Sequence, residues 1–271
     1  MVSTDRGSLA FAHWGRPIND SRAGSGIEEL RASGFHRDLE KMLMLGASDK
    51  WAPGEAEEVT GKFGLGFKSV FLLSDAPRIL SGRLAVRVLG GVYPQNITGP
   101  EHEAITGRLA ELGERRNGTL IELPLRDGFA DKAEEAVSHF RELAPILAVF
   151  ARRTNRIVLR TADREESLEW APREVNGAPQ VRIGSLPGAA SRGLPAHALL
   201  VAAGAGALLL GLDARGIVRL PAPIPGIWVT APTAEAEEAG FALNGPFELH
   251  AGRSELASTA LVANNATAMS L

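Results

Sequence analysis

Three glycines, Gly61, Gly64 and Gly66, stand at spacings of 0, 3 and 5 and lead into Phe67-Lys68-Ser69. An apolar run, Val70-Phe71-Leu72-Leu73, follows. Glycine lacks a Cβ, so backbone there takes positive φ and lets a bulky group approach closely. The apolar run reads as the first turns of a buried helix. A glycine loop opening into a helix N-terminus presents unpaired N–H groups and a partial positive charge, which together favour an anion, most often phosphate.

Three familiar phosphate loops do not fit. The P-loop requires Lys after its second glycine, and Phe67 stands there. The dinucleotide fingerprint begins at Gly64 and Gly66 but meets Ser69 where its third glycine belongs. The kinase loop fails at the same place, and neither His-Arg-Asp nor Asp-Phe-Gly follows. What remains, Gly61-Lys62-Phe63-Gly64-Leu65-Gly66-Phe67-Lys68-Ser69-Val70-Phe71, resembles the glycine box of the GHKL (Bergerat-fold) ATPases. The resemblance is greatest to the chaperone-like branch containing sacsin and its bacterial relatives. Gly46-Ala47-Ser48-Asp49-Lys50 continues it, since sacsin-like sequences carry Gly-x-Ser-x-Lys before the box.

The resemblance implies ATP with Mg²⁺ as ligands and assigns nucleotide contacts to Gly61, Lys62, Gly64, Leu65, Gly66, Phe67 and Lys68, together with Ser48 and Lys50. In the family an Asp-x-Gly element binds the adenine amino group; here His13-Trp14-Gly15 stands in its place. A neutral imidazole still accepts one hydrogen bond, so His13 reads either as the adenine contact, with Gly15 beside it, or as a structural histidine at a strand end. Thr119 matches a family Thr that helps hold the adenine-binding group, although a β-branched residue suits a strand without that role. Gly240 to Glu255 resembles the Val-Asn-Gly-x-Phe element and the following Arg found after the ATPase domain of sacsin-like proteins. That makes Arg253 a candidate phosphate contact or, alternatively, a loop anchor. The family's first helix carries an Asn that holds Mg²⁺ and a Glu that activates water. The 12 residues before His13 contain neither. Two expectations follow: an N-terminally truncated piece of a larger ATPase, with little hydrolysis by itself, or a degenerate scaffold or protein-interaction module.

These residues must be positioned by recognisable elements. Ser8 to His13 alternates weakly, as a strand does. Gly34 to Leu45 has Phe35, Leu39, Met42 and Leu43 at helical spacing, with Gly46 as its C-cap. Trp51 to Thr60 occupies the place of the family's mobile lid and reads equally as a solvated loop. Two strands are expected around Ser81-Gly82-Arg83, a helix over 106–115, and a strand over 119–125 entered from the Asn117-Gly118 turn. Residues 130–151 have helical periodicity, with Pro145 expected to kink or split the helix. From Arg156 onward the pattern is short strands at 157–160, 168–170, 180–183, 197–202, 207–212, 216–220 and 227–229.

The expected fold class is α+β: a GHKL-type α/β sandwich, a mixed sheet covered by helices, followed by a β-rich second part. The boundaries are an ATP-binding domain lacking its first helix over 1–128, a connecting helix over 129–155, and a β-rich domain over 156–271. Apolar residues make up 45% of the 271, enough for ordinary cores, and the net charge of −3 argues against a broad basic nucleic-acid surface. The absence of cysteine rules out disulfides, thiolate metal sites and a cysteine nucleophile, and fits a cytoplasmic protein. The apolar stretch Ala196 to Leu212 is at the short limit for a membrane span, and Gly204 and Gly206 at its middle suggest two strands joined by a turn instead. Expected partners are ATP and either the rest of a larger chain or a protein client. A sandwich lacking one helix exposes apolar sheet, which favours a homodimer. Hydrolase signatures such as G-x-S-x-G and H-E-x-x-H are absent.

Overall fold

The computed structural model describes residues 1–5, 7–20, 28, 37–44, 67–113, 118–151, 154–222, 224–235, 238–249 and 255–257. They form an α+β protein with two mixed sheets, divided into two compact units.

The first unit is built on an eight-stranded sheet. Its strands are β1 (Val2–Asp5), β2 (Ser8–His13), β3 (Arg78–Ser81), β4 (Leu84–Leu89), β5 (Tyr93–Asn96), β6 (Thr119–Pro124), β7 (Arg156–Arg160) and β8 (Glu165–Glu169), in the order β5-β4-β3-β6-β2-β1-β7-β8. Gly7, with φ of 69°, turns β1 into β2. Gly82 turns β3 into β4 from the first position of a two-residue loop, where its φ of 57° suits glycine and splays no strand. β7 joins β1 in parallel, pairing Val2 with Leu159. Parallel pairing needs a long crossover that leaves no local signature in sequence. The first sheet thereby takes its last two strands from beyond the expected boundary at residue 155.

Alternation along β2, β3 and β6 gives this sheet two apolar faces. On one face Ala10, Ala12, Leu80 and Leu120 pack with Ile105, Leu109 and Leu112 of helix α2 (Gly99–Leu112). Those helix positions fall at i, i+4 and i+7, one stripe of a helix. Pro100 in the first turn starts α2 earlier than its periodicity alone suggests. On the other face Ile79, Val86 and Val88 meet Ile18 and Leu43, with Leu39, Met42, Phe67 and Phe71 packed against them. Leu39, Met42 and Leu43 lie on helix α1 (Asp38–Leu43).

The second unit contains β9 (Arg173–Val175), β10 (Ala178–Ser185), β11 (His197–Ala203), β12 (Gly206–Asp213), β13 (Gly216–Val218), β14 (Ile227–Val229), β15 (Ala231–Pro232) and β16 (Ala242–Asn244). Their order is β15-β14-β16-β12-β11-β10-β9, with β13 also paired to β12. β11 and β12 are the two strands expected within the apolar stretch, joined at Gly204, whose φ is 54°. Among the described residues no helix is long and apolar enough to cross a membrane.

Helix α3 (Ala130–Phe150) continues through Pro145 without splitting. Proline has no N–H to give the carbonyl four residues back, so the Arg141 carbonyl loses its helical donor. Arg192 replaces it, donating Nε–H to that carbonyl at 2.7 Å. On either side of the proline, Leu143, Ile146, Val149 and Phe150 enter a core with Ala198, Leu209 and Trp228. The Phe150 and Trp228 rings are 5.6 Å apart, and the Trp228 indole N–H donates to the Pro225 carbonyl at 2.7 Å. Complete burial of side chains such as Leu209 and Ile146 stabilises the fold by about 1.5–3 kcal/mol each.

Candidate functional site

The residues nearest to a site lie in one register row of the first sheet. His13 on β2 pairs with Thr119 on β6, and Thr119 pairs with Ser81 on β3. Directly paired residues share a sheet face. Two residues along each strand, the same face carries Phe11, Ile121 and Ile79. Ile79 is in the cluster that includes α1 and Phe67 and Phe71.

Thr119 and Ser81 are buried, with their hydroxyl oxygens 2.6 Å apart. Ser81 Oγ also accepts the backbone N–H of Ile18 at 2.8 Å. The pair therefore anchors the turn that follows β2. Asn19 in that turn has φ of 57°. Its Oδ1 accepts the Leu39 N–H at 2.9 Å, and its own N–H donates to Asp38 at 3.0 Å. Arg16 reaches the same carboxylate at 2.5 Å. These contacts supply first-turn partners for α1 from a distant segment. In the sequence Ser81 is visible only as part of a turn, and Asn19 follows the His13-Trp14-Gly15 element, away from the place of the family's Mg²⁺-holding Asn.

His13 is exposed, and its Nδ1 accepts the backbone N–H of Gly15 at 3.3 Å. This bond places the ring proton of neutral His13 on Nε2. In this tautomer the other edge of the ring donates, whereas a contact with an adenine amino group asks the ring to accept. Partial desolvation, then the ammonium of Met1, lowers the His13 pKa below 6.5. Both effects favour the neutral ring.

Past the glycine loop, the run expected to open a buried helix is a 3₁₀ turn over Lys68–Leu72 with no fully buried residue, and Leu72 is 69% exposed. Ser74 is buried, and Pro77 prevents further helix, so the run ends after little more than one turn. A turn this short lacks the aligned peptide dipoles on which a helix-terminus anion site depends. Phe67 packs edge-on to Phe71 at 5.9 Å. Lys68 donates its ammonium to the Gly91 carbonyl and lies 5.9 Å from the Phe71 ring centroid.

The structure thus brings His13, Gly15 and Thr119 together at one end of the sheet, while Phe67 and Lys68 flank its apolar face. Ser48, Lys50, Gly61, Lys62, Gly64, Leu65, Gly66 and Arg253, with the expected lid at 51–60, lie outside the described residues. Phe11, 37% exposed, and the His13 Nε2–H suit an aromatic base with acceptor nitrogens. Among the described residues no group of three or more His, Asp or Glu is placed to hold a metal ion. Neither a scan against protein-family models nor a search of curated proteins returns a match to this chain.

Proposed function

We propose that the first unit is a nucleotide-binding module of the GHKL type, of the kind used by sacsin-like and other chaperone-like ATPases. ATP would lie with its base towards His13 and Phe11 and its phosphates towards the Gly61–Lys68 segment. The observation carrying this reading is the His13–Thr119–Ser81 row, on a sheet face that also packs α1 and Phe67. Family resemblance at Gly61–Phe71 points to the same ligand. In this reading His13 donates Nε2–H to a ring nitrogen of the base. Thr119 and Ser81 hold the turn at Ile18 and so position the wall. Lys68 must leave the Gly91 carbonyl to meet a phosphate.

That engagement of Lys68, with the short 3₁₀ turn, favours a second reading: a non-hydrolysing scaffold or interaction module. Titration calorimetry with adenosine and ATP separates the two. The nucleotide reading predicts saturable binding of both, tighter for ATP, and weakening of both by His13→Ala by about tenfold, the value of one lost hydrogen bond of about 1.4 kcal/mol. Absence of saturable heat with either ligand leaves the scaffold reading.

A further inference from the structure

Three Asn-Gly pairs occur in the chain: Asn117-Gly118, Asn176-Gly177 and Asn244-Gly245. Asparagine is among the thermolabile residues, and a following glycine exposes it further. With no Cβ to shield it, the glycine nitrogen can close on the side-chain amide carbon of the Asn before it. Whether that ring closes depends on how the fold holds the two atoms. Asn117 lies outside the described residues. The other two pairs stand in the second unit, in opposite surroundings.

Asn176 and Gly177 form the two-residue loop between β9 and β10, with Val175 paired to Ala178. Both are exposed. Gly177 has φ of 78°, while Asn176 stays out of the positive-φ region, the combination of a type II turn. Such a turn does not follow the twist of the strands it joins. The ladder slips directly beyond the loop, where the register shifts between Ala178 and Arg182. Pro179, which brings no N–H to a ladder, stands in that gap. The Asn176 side chain and the Gly177 N–H make no hydrogen bond among the described residues. A Cβ on Gly177 would meet nothing within 4 Å. Neither the carboxamide nor the nitrogen that attacks it is tied down.

Asn244-Gly245 is the same dipeptide under restraint. Asn244, at the end of β16, is buried, and its Oδ1 accepts the Thr230 N–H at 2.7 Å. The Gly245 nitrogen, the attacking atom, donates its N–H to the Trp228 carbonyl at 3.1 Å. A Cβ on Gly245 would stand 2.9 Å from the Phe247 ring, so this glycine has little room to turn. Ring closure at Asn244 must break both hydrogen bonds in a buried place.

We propose that Asn176 is a modification site, at which the chain deamidates itself and forms isoaspartate. The Gly177 nitrogen loses its proton to solvent hydroxide and attacks Cγ of Asn176. The new N–Cγ bond closes a succinimide as the Cγ–Nδ2 bond breaks, and Nδ2 takes a proton from water and leaves as ammonia. Water then adds to either ring carbonyl. Opening at one C–N bond gives aspartate. Opening at the other gives isoaspartate, whose main chain runs through Cγ and is longer by one methylene. Either product puts a carboxylate where a neutral amide stood. The core cluster of the second unit includes no residue of this loop or of β9, which is an edge strand, so both products leave the fold in place. The proposal does not depend on the reading of the first unit.

The test is peptide mapping by mass spectrometry of the full chain after incubation at mildly alkaline pH in H₂¹⁸O, folded and in urea. The chain is digested afterwards in ordinary water, and aspartyl and isoaspartyl peptides are separated chromatographically. The ¹⁸O marks the conversions that occur during incubation. In the folded chain Asn176 is expected to convert at least about tenfold faster than Asn244, whose two hydrogen bonds add to its barrier. Isoaspartate is expected at Asn176 as well as aspartate. In urea Asn244 is expected to rise to the rate of Asn176. No conversion at Asn176, equal or faster conversion at Asn244 in the folded chain, aspartate without isoaspartate at Asn176, or an Asn244 rate that urea leaves unchanged overturns the proposal.

Discussion

At the scale of single residues, the tautomer of His13 decides what its edge of the sheet can recognise. Gly15 occupies Nδ1, so the neutral ring offers a donor. The pKa is lowered in the folded state, first by desolvation and then by the Met1 ammonium. The folded ring therefore resists protonation that the unfolded chain accepts. Above pH 6.5 the group costs nothing; as pH falls through 6.5 towards the folded value, stability declines. Long-range ¹⁵N–¹H NMR should find Nδ1 unprotonated and a titration midpoint below 6.5. A midpoint at or above 6.5 would contradict the geometry. The buried hydroxyl pair gives a second residue-level test. Ser81→Ala strands the Ile18 N–H and should cost about 1–3 kcal/mol, whereas Thr119→Val removes one hydrogen bond and should cost about 1 kcal/mol or less. Urea unfolding of the two variants measures the order.

At the scale of elements, helix α2 carries a glycine in its interior and is followed by another, and their environments are opposite. Gly107 is exposed, with nothing within 4 Å of an added Cβ. Gly107→Ala should stabilise by about 0.5–1 kcal/mol through helix propensity. Just past the helix, a Cβ on Gly113 would stand 2.2 Å from Cζ2 of Trp14. Gly113→Ala should therefore destabilise by about 1–3 kcal/mol, since the indole must leave the core. In α3, Arg192→Ala should cost about 1–3 kcal/mol by orphaning the Arg141 carbonyl opposite Pro145, while Gln at 192 should recover part of it. Thermal unfolding of these variants is the readout. These contacts also explain which elements the sequence revealed. Strands β2, β6 and β11–β12 carried their own alternation and turn glycines. The edge strand β5, Tyr93-Pro94-Gln95-Asn96, is exposed throughout and has no apolar face to detect. β1 takes its second partner, β7, from far along the chain, and the replacement of Pro145's missing donor comes from a residue 51 positions away from Arg141. The run Val70–Leu73 misled because hydrophobicity without a completed period does not reveal that Leu72 faces solvent. Of the candidate residues, the strand-end positions of His13 and Thr119 were legible, since Ser8 to His13 alternates weakly and Thr119 opens the strand that follows the Asn117-Gly118 turn. The donor character of His13 was not, since it depends on the turn that brings Gly15 back to Nδ1.

At the scale of the whole molecule, two sheets with separate cores give two units. In the first unit several large apolar side chains are exposed, Leu72, Val92 and Tyr93 most of all. The apolar face bearing Phe11 is the one on which the nucleotide reading places a base. The central claim concerns that face and the glycine box Gly61–Lys68 together. Its most direct measurement is isothermal titration of the full chain with ATP, with and without Mg²⁺, alongside Gly64→Val. The account predicts saturable one-to-one binding, with Gly64→Val weakening ATP by at least about tenfold while leaving adenosine unchanged, because only the phosphate end is blocked. Equal ATP affinity in the wild type and Gly64→Val, or no saturable binding in the wild type, would contradict it.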